Sequence, residues 1–400
     1  MERLKGTSVM GLRTPIIREG DGLEDIVVAT IVKGEKQKLY KIEDRDVVGI
    51  TEAVVARSQG NYATKEQISK DIREKFGGGK VGVIFPILSR NRFSICLRGI
   101  ANGLDKIVLM LSYPSDEVGN HIIDYDLLDE QDVDPYKDVL TEDEFIGKFG
   151  RPKHTFTDVD YVSYYKELIE EEGAEAEILF ANDPKAILKY TDQVLTCDIH
   201  TRDRTKRILK ENGAKTVYGL DEILRESVNG SGYNKLYGLL GSNKATEETI
   251  KLFPNDCTAF VMSVQKKLKD VTGKTVEVLV YGDGAFKDPV GKIWELADPV
   301  VSPGYTEGLN GTPNEIKIKY IADNDFSHLS GEQLKEAISN YIKKKDNDLK
   351  GNMVSEGTTP RRLTDLIGSL CDLTSGSGDK GTPIVLIQGY FDNYTIGATD

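Results

Sequence analysis

The sequence predicts a mixed fold of two units, one of them a small parallel α/β unit. Three observations carry this. The chain has 400 residues, too many for one ordinary hydrophobic core. Between residues 161 and 218, short β-branched runs alternate with helical spacing, the pattern of parallel strands joined by crossover helices. The composition also shifts after Tyr113, and residues 123–148 are rich in Asp and Glu.

In chain order, Gly20-Asp21-Gly22 opens an amphipathic segment, and 46–55 is a β-branched run that fits a buried strand. Residues 65–76 have helical spacing and stop at Gly77-Gly78-Gly79. The run 80–88 reads as a strong strand, 94–104 as a short helix and 106–112 as a strand. Within the alternating stretch, helices are expected at 164–172, 184–191 and 202–212, and strands at 176–180, 193–199 and 216–218. Beyond it, 229–232 reads as a loop, 257–271 as a helix, and 274–281 as a strand ending in Gly282-Asp283-Gly284. A strand at 314–321 and a helix at 330–345 follow, with Ser330 as N-cap and Gln333 three residues on. A helix at 363–373 and a buried strand at 382–388 complete the pattern.

Hydrophobic residues make up 39% and charged residues 29%, the balance of a soluble globular protein. The net charge of −13 argues against nucleic acid or an anionic membrane surface as partner. The longest apolar runs, 81–88 and 107–111, are far too short to span a bilayer, and the N-terminal residues lack the apolar core of an export signal. Cys96, Cys197, Cys257 and Cys371 are scattered without CxxC spacing, so they read as reduced thiols and the expected location is cytoplasmic.

Several groups of residues point to chemistry. A strand ending in Gly-Asp-Gly projects the Asp283 carboxylate from a tight turn, which suits an oxygen ligand for magnesium or a simple turn aspartate. Asp288, before Pro289, is a second candidate. The run Ser375-Gly376-Ser377-Gly378-Asp379-Lys380-Gly381 can turn backbone N–H groups inward onto phosphate oxygens, although it is not a Walker loop. Arg90 and Arg92 follow a buried strand. In extended chain they share a face and clamp a carboxylate or phosphate; otherwise they belong to a solvated loop. His154 lies in Gly150-Arg151-Pro152-Lys153-His154-Thr155. Asp198-Ile199-His200-Thr201-Arg202 sits where a strand gives way to a helix, the usual binding edge of a parallel sheet. There Asp198 and His200 would share a face, Thr201 would cap the helix, and Arg202 would add positive charge. The bland reading of either histidine is structural. No HExxH, Ser/His/Asp order or Cys-nucleophile context supports a hydrolase.

Two blocks near the ends of the chain are more specific. Residues 11–61 contain GLRTPIIREGDGLEDIV and DRDVVGITEAVVARSQGN, and residues 361–389 read RRLTDLIGSLCDLTSGSGDKGTPIVLIQG. Together they resemble the gamma-glutamyl ligases that extend the deazaflavin coenzyme F(420). The resemblance covers 10–115 and 257–390; residues 120–255 have no counterpart in it. It implies an α+β ligase portion at 1–118 and 256–400, with an inserted parallel α/β domain at 119–255. It also implies GTP or ATP, magnesium or manganese, an amide bond made through an acyl phosphate between an amino acid such as L-glutamate and a carboxylate acceptor, and a homodimer.

The resemblance further implies roles for residues. Thr14, Pro15, Ile16 and Ile17 fall where the family wraps the nucleotide, and Thr51 and Glu52 at the next nucleotide contact. Arg57 replaces a family lysine, and 375–382 matches the Gly-rich nucleotide loop. Asp365 matches an aspartate one helix upstream and is a catalytic candidate; Arg90 and Arg92, outside the usual ligase pattern, are catalytic candidates from the reading of the residues themselves. Asp283 and Asp288 are the metal candidates. The acceptor is expected at His154, His200, Thr201 and Arg202. The chain departs from the family at 99–102, where a metal aspartate is expected and Gly99-Ile100-Ala101-Asn102 has none, Asp105 being the nearest carboxylate. It departs again where Ser377 replaces a glutamate. Those losses motivate a second reading, a non-catalytic nucleotide- or metabolite-binding protein, and a third, a ligase redirected to a folate-like or other acceptor.

Overall fold

The computed structural model describes residues 4–284, 297–355, 361–374, 376 and 378–395. The described residues form a mixed α/β structure with three sheets.

The first sheet has five strands in the order Ser8–Leu12, Ile384–Gln388, Val47–Thr51, Glu277–Tyr281 and Gly304–Tyr305. Val47–Thr51 and Glu277–Tyr281 run parallel, and the other neighbours are antiparallel. Successive side chains of a strand point to opposite faces, and both faces here are covered. Val48, Ile50, Val278 and Val280 pack with the helices Leu23–Lys36 and Cys257–Thr272. Their neighbours Val47, Leu279 and Tyr281 pack against Ile367 and Cys371 of the helix Leu363–Thr374. That helix lies so close that a Cβ on Gly49 would stand 2.5 Å from Cys371 Sγ.

The second sheet has six strands in the order Leu140–Thr141, Glu175–Phe180, Lys106–Leu111, Lys80–Ile84, Gln193–Thr196 and Thr216–Gly219. All are parallel except the edge strand Leu140–Thr141. The helices Lys65–Phe76, Ser94–Asn102 and Tyr161–Glu171 cover one face. The helix Arg202–Glu211 and the 3₁₀ turn Pro184–Lys189 cover the other. The chain steps outward from Lys80–Ile84 to Glu175–Phe180, then returns to the opposite side of Lys80–Ile84 with Gln193–Thr196. Loops leaving those two strands diverge there, which opens the crevice where such sheets bind ligands.

A short antiparallel ribbon, Asn243–Lys244, Thr249–Lys251 and Tyr62–Thr64, forms the third sheet. Its strand Tyr62–Thr64 leads directly into the helix Lys65–Phe76, which a full capping box starts: Thr64 Oγ1 accepts from Gln67 N–H, and Gln67 Oε1 from Thr64 N–H.

The strands expected at 80–88 and 106–112 are the centre of the parallel sheet and pair with strands beyond residue 119. The expected division at residue 118 therefore runs between partners in one sheet. The first of these strands stops at Ile84, because Phe85 turns to φ +57 and Pro86 has no N–H to offer a ladder. The segment expected as a strand at 314–321 is instead the helix Ile318–Asp323. Alternating Ile and Lys suggested period two, but no sheet edge is paired with it. Its Ile321 packs on Ile338 and Ile342 of the helix Gly331–Lys343 in a small satellite core. Ser330 does occupy the N-cap of that helix, without a side-chain capping bond. No helix among the described residues is long and apolar enough to cross a membrane.

Gly49→Ala is expected to destabilise the protein by about 1–3 kcal/mol, since the added methyl forces the helix Leu363–Thr374 off the sheet. Urea unfolding measures this; an unchanged midpoint would show that the helix has room to spare.

Candidate functional site

The two ends of the chain meet at a cleft of about 630 Å³. Thr14, Pro15, Ile16 and Ile17 form one lip, Gly378 and Gly381 a second, and Arg57 lines the base from the last turn of the helix Glu52–Ser58. Thr14 N–H donates to Gly381 O at 3.3 Å, and Gly381 N–H closes the turn onto Gly378 O at 2.9 Å. Gly381 has φ +64, a conformation that suits glycine. The remaining wall is the ribbon, through Tyr62, Lys244, Thr246, Thr249 and Lys251.

Other expected nucleotide residues are placed differently. Thr51 is buried, and its N–H donates to Pro383 O at 3.0 Å. Glu52 is buried and reaches the cleft only through Lys251 Nζ, 3.1 and 3.2 Å from its two carboxylate oxygens. Gly376 bridges Thr382 at the base of the loop, Asp379 is exposed at its tip, and Lys380 lines a neighbouring cavity beside Arg13 and Lys33. Asp365 lies in the first turn of Leu363–Thr374 and is not among the lining residues. Ser375, Ser377 and Asp288 lie outside the described residues.

Between the two large sheets runs an ionic cluster. The turn after Ser89 separates the two arginines: Arg90 is exposed, whereas the Arg92 side chain is only 16% accessible. Arg92 Nη2 donates to Asp283 Oδ2 at 2.5 Å, and Nη1 to Asp298 Oδ1 at 2.6 Å. The other oxygen of Asp298 accepts Asp283 N–H at 2.7 Å. Gly282 permits this approach, because a Cβ there would collide with Asp298 Oδ2. Burial works against the charge on Arg92, but Asp298, Asp283 and Glu52 outweigh it and hold the pKa above its ordinary value. Burial pushes the Glu52 carboxyl up; Lys251 and Arg92 oppose this, and Asp298 adds to it.

At the carboxyl edge of the parallel sheet, His154 is buried and both ring nitrogens have partners. Nε2 is 3.1 Å from Asn120 Oδ1, and Nδ1 is 3.0 Å from Thr157 Oγ1. Asn120 in turn serves Asp116, whose carboxylate also accepts N–H groups from Leu88, Val118 and Asn120. Burial pushes Asp116 up to about 6. The strand before His200 ends at Thr196, so Asp198 and His200 do not share a face: Asp198 is buried and His200 exposed. Thr201 takes the N-cap position but spends its hydroxyl on Asp198 Oδ2 at 2.8 Å. The N–H groups of Ile199, His200 and Thr201 converge on the Glu117 carboxylate at 2.6–3.1 Å. Arg202 donates to Ile199 O and lies 3.6 Å from Asp221.

Sequence reasoning missed Lys244, Lys251 and Asp298. Lys251 stands in an ordinary K-A-T-E-E-T-I-K hairpin, and nothing local marks it as buried. Asp298 gains its meaning only from the strand pairing that brings it to Asp283.

The resemblance implies magnesium or manganese. Asp283 and Asp298 do not fit that group as they stand. A divalent cation needs carboxylate oxygens at about 2.0–2.2 Å with several further oxygen ligands, and Arg92 nitrogens fill that space. Asp105 cannot join, since it holds Gly79 N–H at the opposite, amino edge of the parallel sheet. Among the described residues, no three His, Cys, Asp or Glu side chains converge to hold a metal.

The described residues thus form a mixed α/β scaffold with a cation-lined cleft between two distant segments, and comparison with known proteins gives the class of enzyme and its family. The chain belongs to the F420-0:gamma-glutamyl ligase family, which it matches over residues 11–389. That family implies a nucleotide-dependent gamma-glutamyl ligase, with glutamate and an acceptor as substrates. The matched interval includes 120–255, for which the resemblance supplied no counterpart. No curated protein matches the chain. Among solved structures, eIF2B beta from Chaetomium thermophilum is 12% identical, covering 42% of this chain and 43% of its own, with a TM-score of 0.22. The biosynthetic arginine decarboxylase SpeA from Campylobacter jejuni is 11% identical, covering 93% and 68%, with a TM-score of 0.15. Scores that low bear on neither fold nor function.

Two predictions follow from burial. Lys251→Ala strands the Glu52 carboxylate and is expected to cost about 3–5 kcal/mol, whereas Lys251→Met combined with Glu52→Gln recovers most of the loss. Equal melting of the single and double variants would refute the pairing. Burial, with Arg90 and His121, lowers the pKa of His154 below its ordinary 6.5. A depressed imidazole pKa stabilises the fold above the unfolded value, and that contribution is lost as pH falls through the folded one. Nitrogen-detected NMR is expected to find the His154 midpoint below that of a free imidazole; a midpoint at or above 6.5 would contradict the burial argument.

Proposed function

We propose that the enzyme joins L-glutamate to a carboxylate acceptor through an acyl phosphate, with GTP or ATP held in the cleft between residues 14–17 and 378–381. The observation that carries this reading is the hydrogen bond from Thr14 to Gly381, which closes two distant segments over Arg57. Arg57, Lys244 and Lys251 put three cations around a cleft of nucleotide size. Glycine-turned backbone offers N–H groups to phosphate oxygens there. In the proposed reaction an acceptor carboxylate oxygen attacks the terminal phosphorus, and the nucleoside diphosphate leaves. The glutamate amine then attacks the acyl carbon, the amide forms, inorganic phosphate departs and the amine gives up a proton. Fixed cations favour both steps because they stabilise charge on transferring oxygens without reorganising.

The acceptor is assigned to the carboxyl edge of the parallel sheet. Exposed His200 and Arg90 are its accessible groups there, while His154, Thr201 and Arg202 shape the loops behind them. Residues 119–255 act in this reading as the acceptor-selecting part. A cytoplasmic homodimer completes it, and light scattering on the purified protein tests the dimer.

Calorimetric titration with GTP and with ATP is the direct test. Arg57→Ala is expected to weaken the bound nucleotide about 10- to 100-fold, the scale of losing a charge-assisted phosphate contact. Glutamate together with the right acceptor is expected to trigger phosphate release. Undiminished binding by Arg57→Ala would remove the nucleotide from this cleft.

A further inference from the structure

We infer that the Arg92 guanidinium takes the place of a divalent cation between Asp283 and Asp298. The inference rests on the ligase reading above. Asp283 lies in the turn just after the strand Glu277–Tyr281 of the first sheet, and Asp298 returns beside it with its carboxylate on the Asp283 N–H. Two carboxylates fixed this way, one almost fully buried, need a positive charge between them. Arg92 supplies it from the other sheet, with a separate nitrogen for each aspartate. A planar fork suits that task better than an ammonium, because it meets two acceptors at once with fixed geometry.

The surroundings agree. Asp283 and Asp298 are both engaged by Arg92, and no third carboxylate joins them among the described residues. Glu52, the next buried acid, has its own cation in Lys251.

The test counts bound Mn²⁺ by electron paramagnetic resonance in the absence of nucleotide, on the full-length protein. Wild type is expected to show no site that depends on Asp283. Arg92→Ala is expected to gain one at least tenfold tighter than anything wild type shows at that position. Adding Asp283→Asn should abolish the gained site, and free guanidinium should displace the ion from Arg92→Ala. Should the alanine variant fail to fold, Arg92→Met keeps the volume of the side chain and is titrated in its place. An Mn²⁺ site in wild type that Asp283→Asn removes would overturn the inference. So would a folded Arg92 variant that gains none. Neither result touches the ligase reading, which stands or falls on nucleotide binding and glutamate-dependent phosphate release.

Discussion

The structure depends on charge buried where the two large sheets approach each other. Arg92 leaves the carboxyl end of the central parallel strand and enters the loop side of the five-stranded sheet, where Asp283 and Asp298 receive it. Ion pairs so little exposed contribute modestly to net stability but make wrong arrangements expensive, because a displaced partner leaves an uncompensated charge out of water. Glu52 and Lys251 repeat the arrangement one step nearer the cleft. The ribbon joins the parallel unit through a shared apolar core with Ala63, Ile250 and Leu252, while these ion pairs add buried charge where the five-stranded sheet meets them.

That arrangement explains why the candidate site combines rigidity with openness. Below the cleft, Val48, Ile50 and the strands beside them are fully buried, so the base cannot shift without opening the core. Above it, the lips are short turns: Ile16 is 79% exposed, and Gly378–Gly381 forms a turn closed by Gly381 N–H on Gly378 O. A base of packed strands with lips of turn is well suited to a ligand that must enter, react and leave.

Much of this was legible in the sequence. The helix at 65–76, the strands at 176–180 and 382–388 and the alternation from 161 onward announce themselves by period and by turn residues, and the end blocks mark the cleft lips. Contacts that depend on pairing between distant strands were not legible. Asp298 reads as a loop residue until Gly282 lets it approach, and Lys251 as a surface hairpin residue until Glu52 is found beneath it. Arg90 and Arg92 look alike in sequence because extended chain would put them on one face; a turn sends one to solvent and the other inward. The strand expected at 314–321 failed for a related reason. Alternation needs a sheet edge to act on, and here the nearest apolar surface is another helix.

One feature of the first sheet bears on how the chain comes off the ribosome. Ile384–Gln388 is not an edge strand; it lies between Ser8–Leu12 and Val47–Thr51 and hydrogen-bonds to both. Two strands made at the beginning of synthesis must wait for one made close to the end, with more than three hundred intervening residues already free to collapse. Contacts so distant in sequence are slow to form, and until they do, Ser8–Leu12 has no neighbour in the sheet. The parallel unit, whose strands all lie between residues 80 and 219, is complete long before. Synthesis thus imposes an order on this molecule: the parallel sheet is complete before the strand Ile384–Gln388 exists to close the cleft.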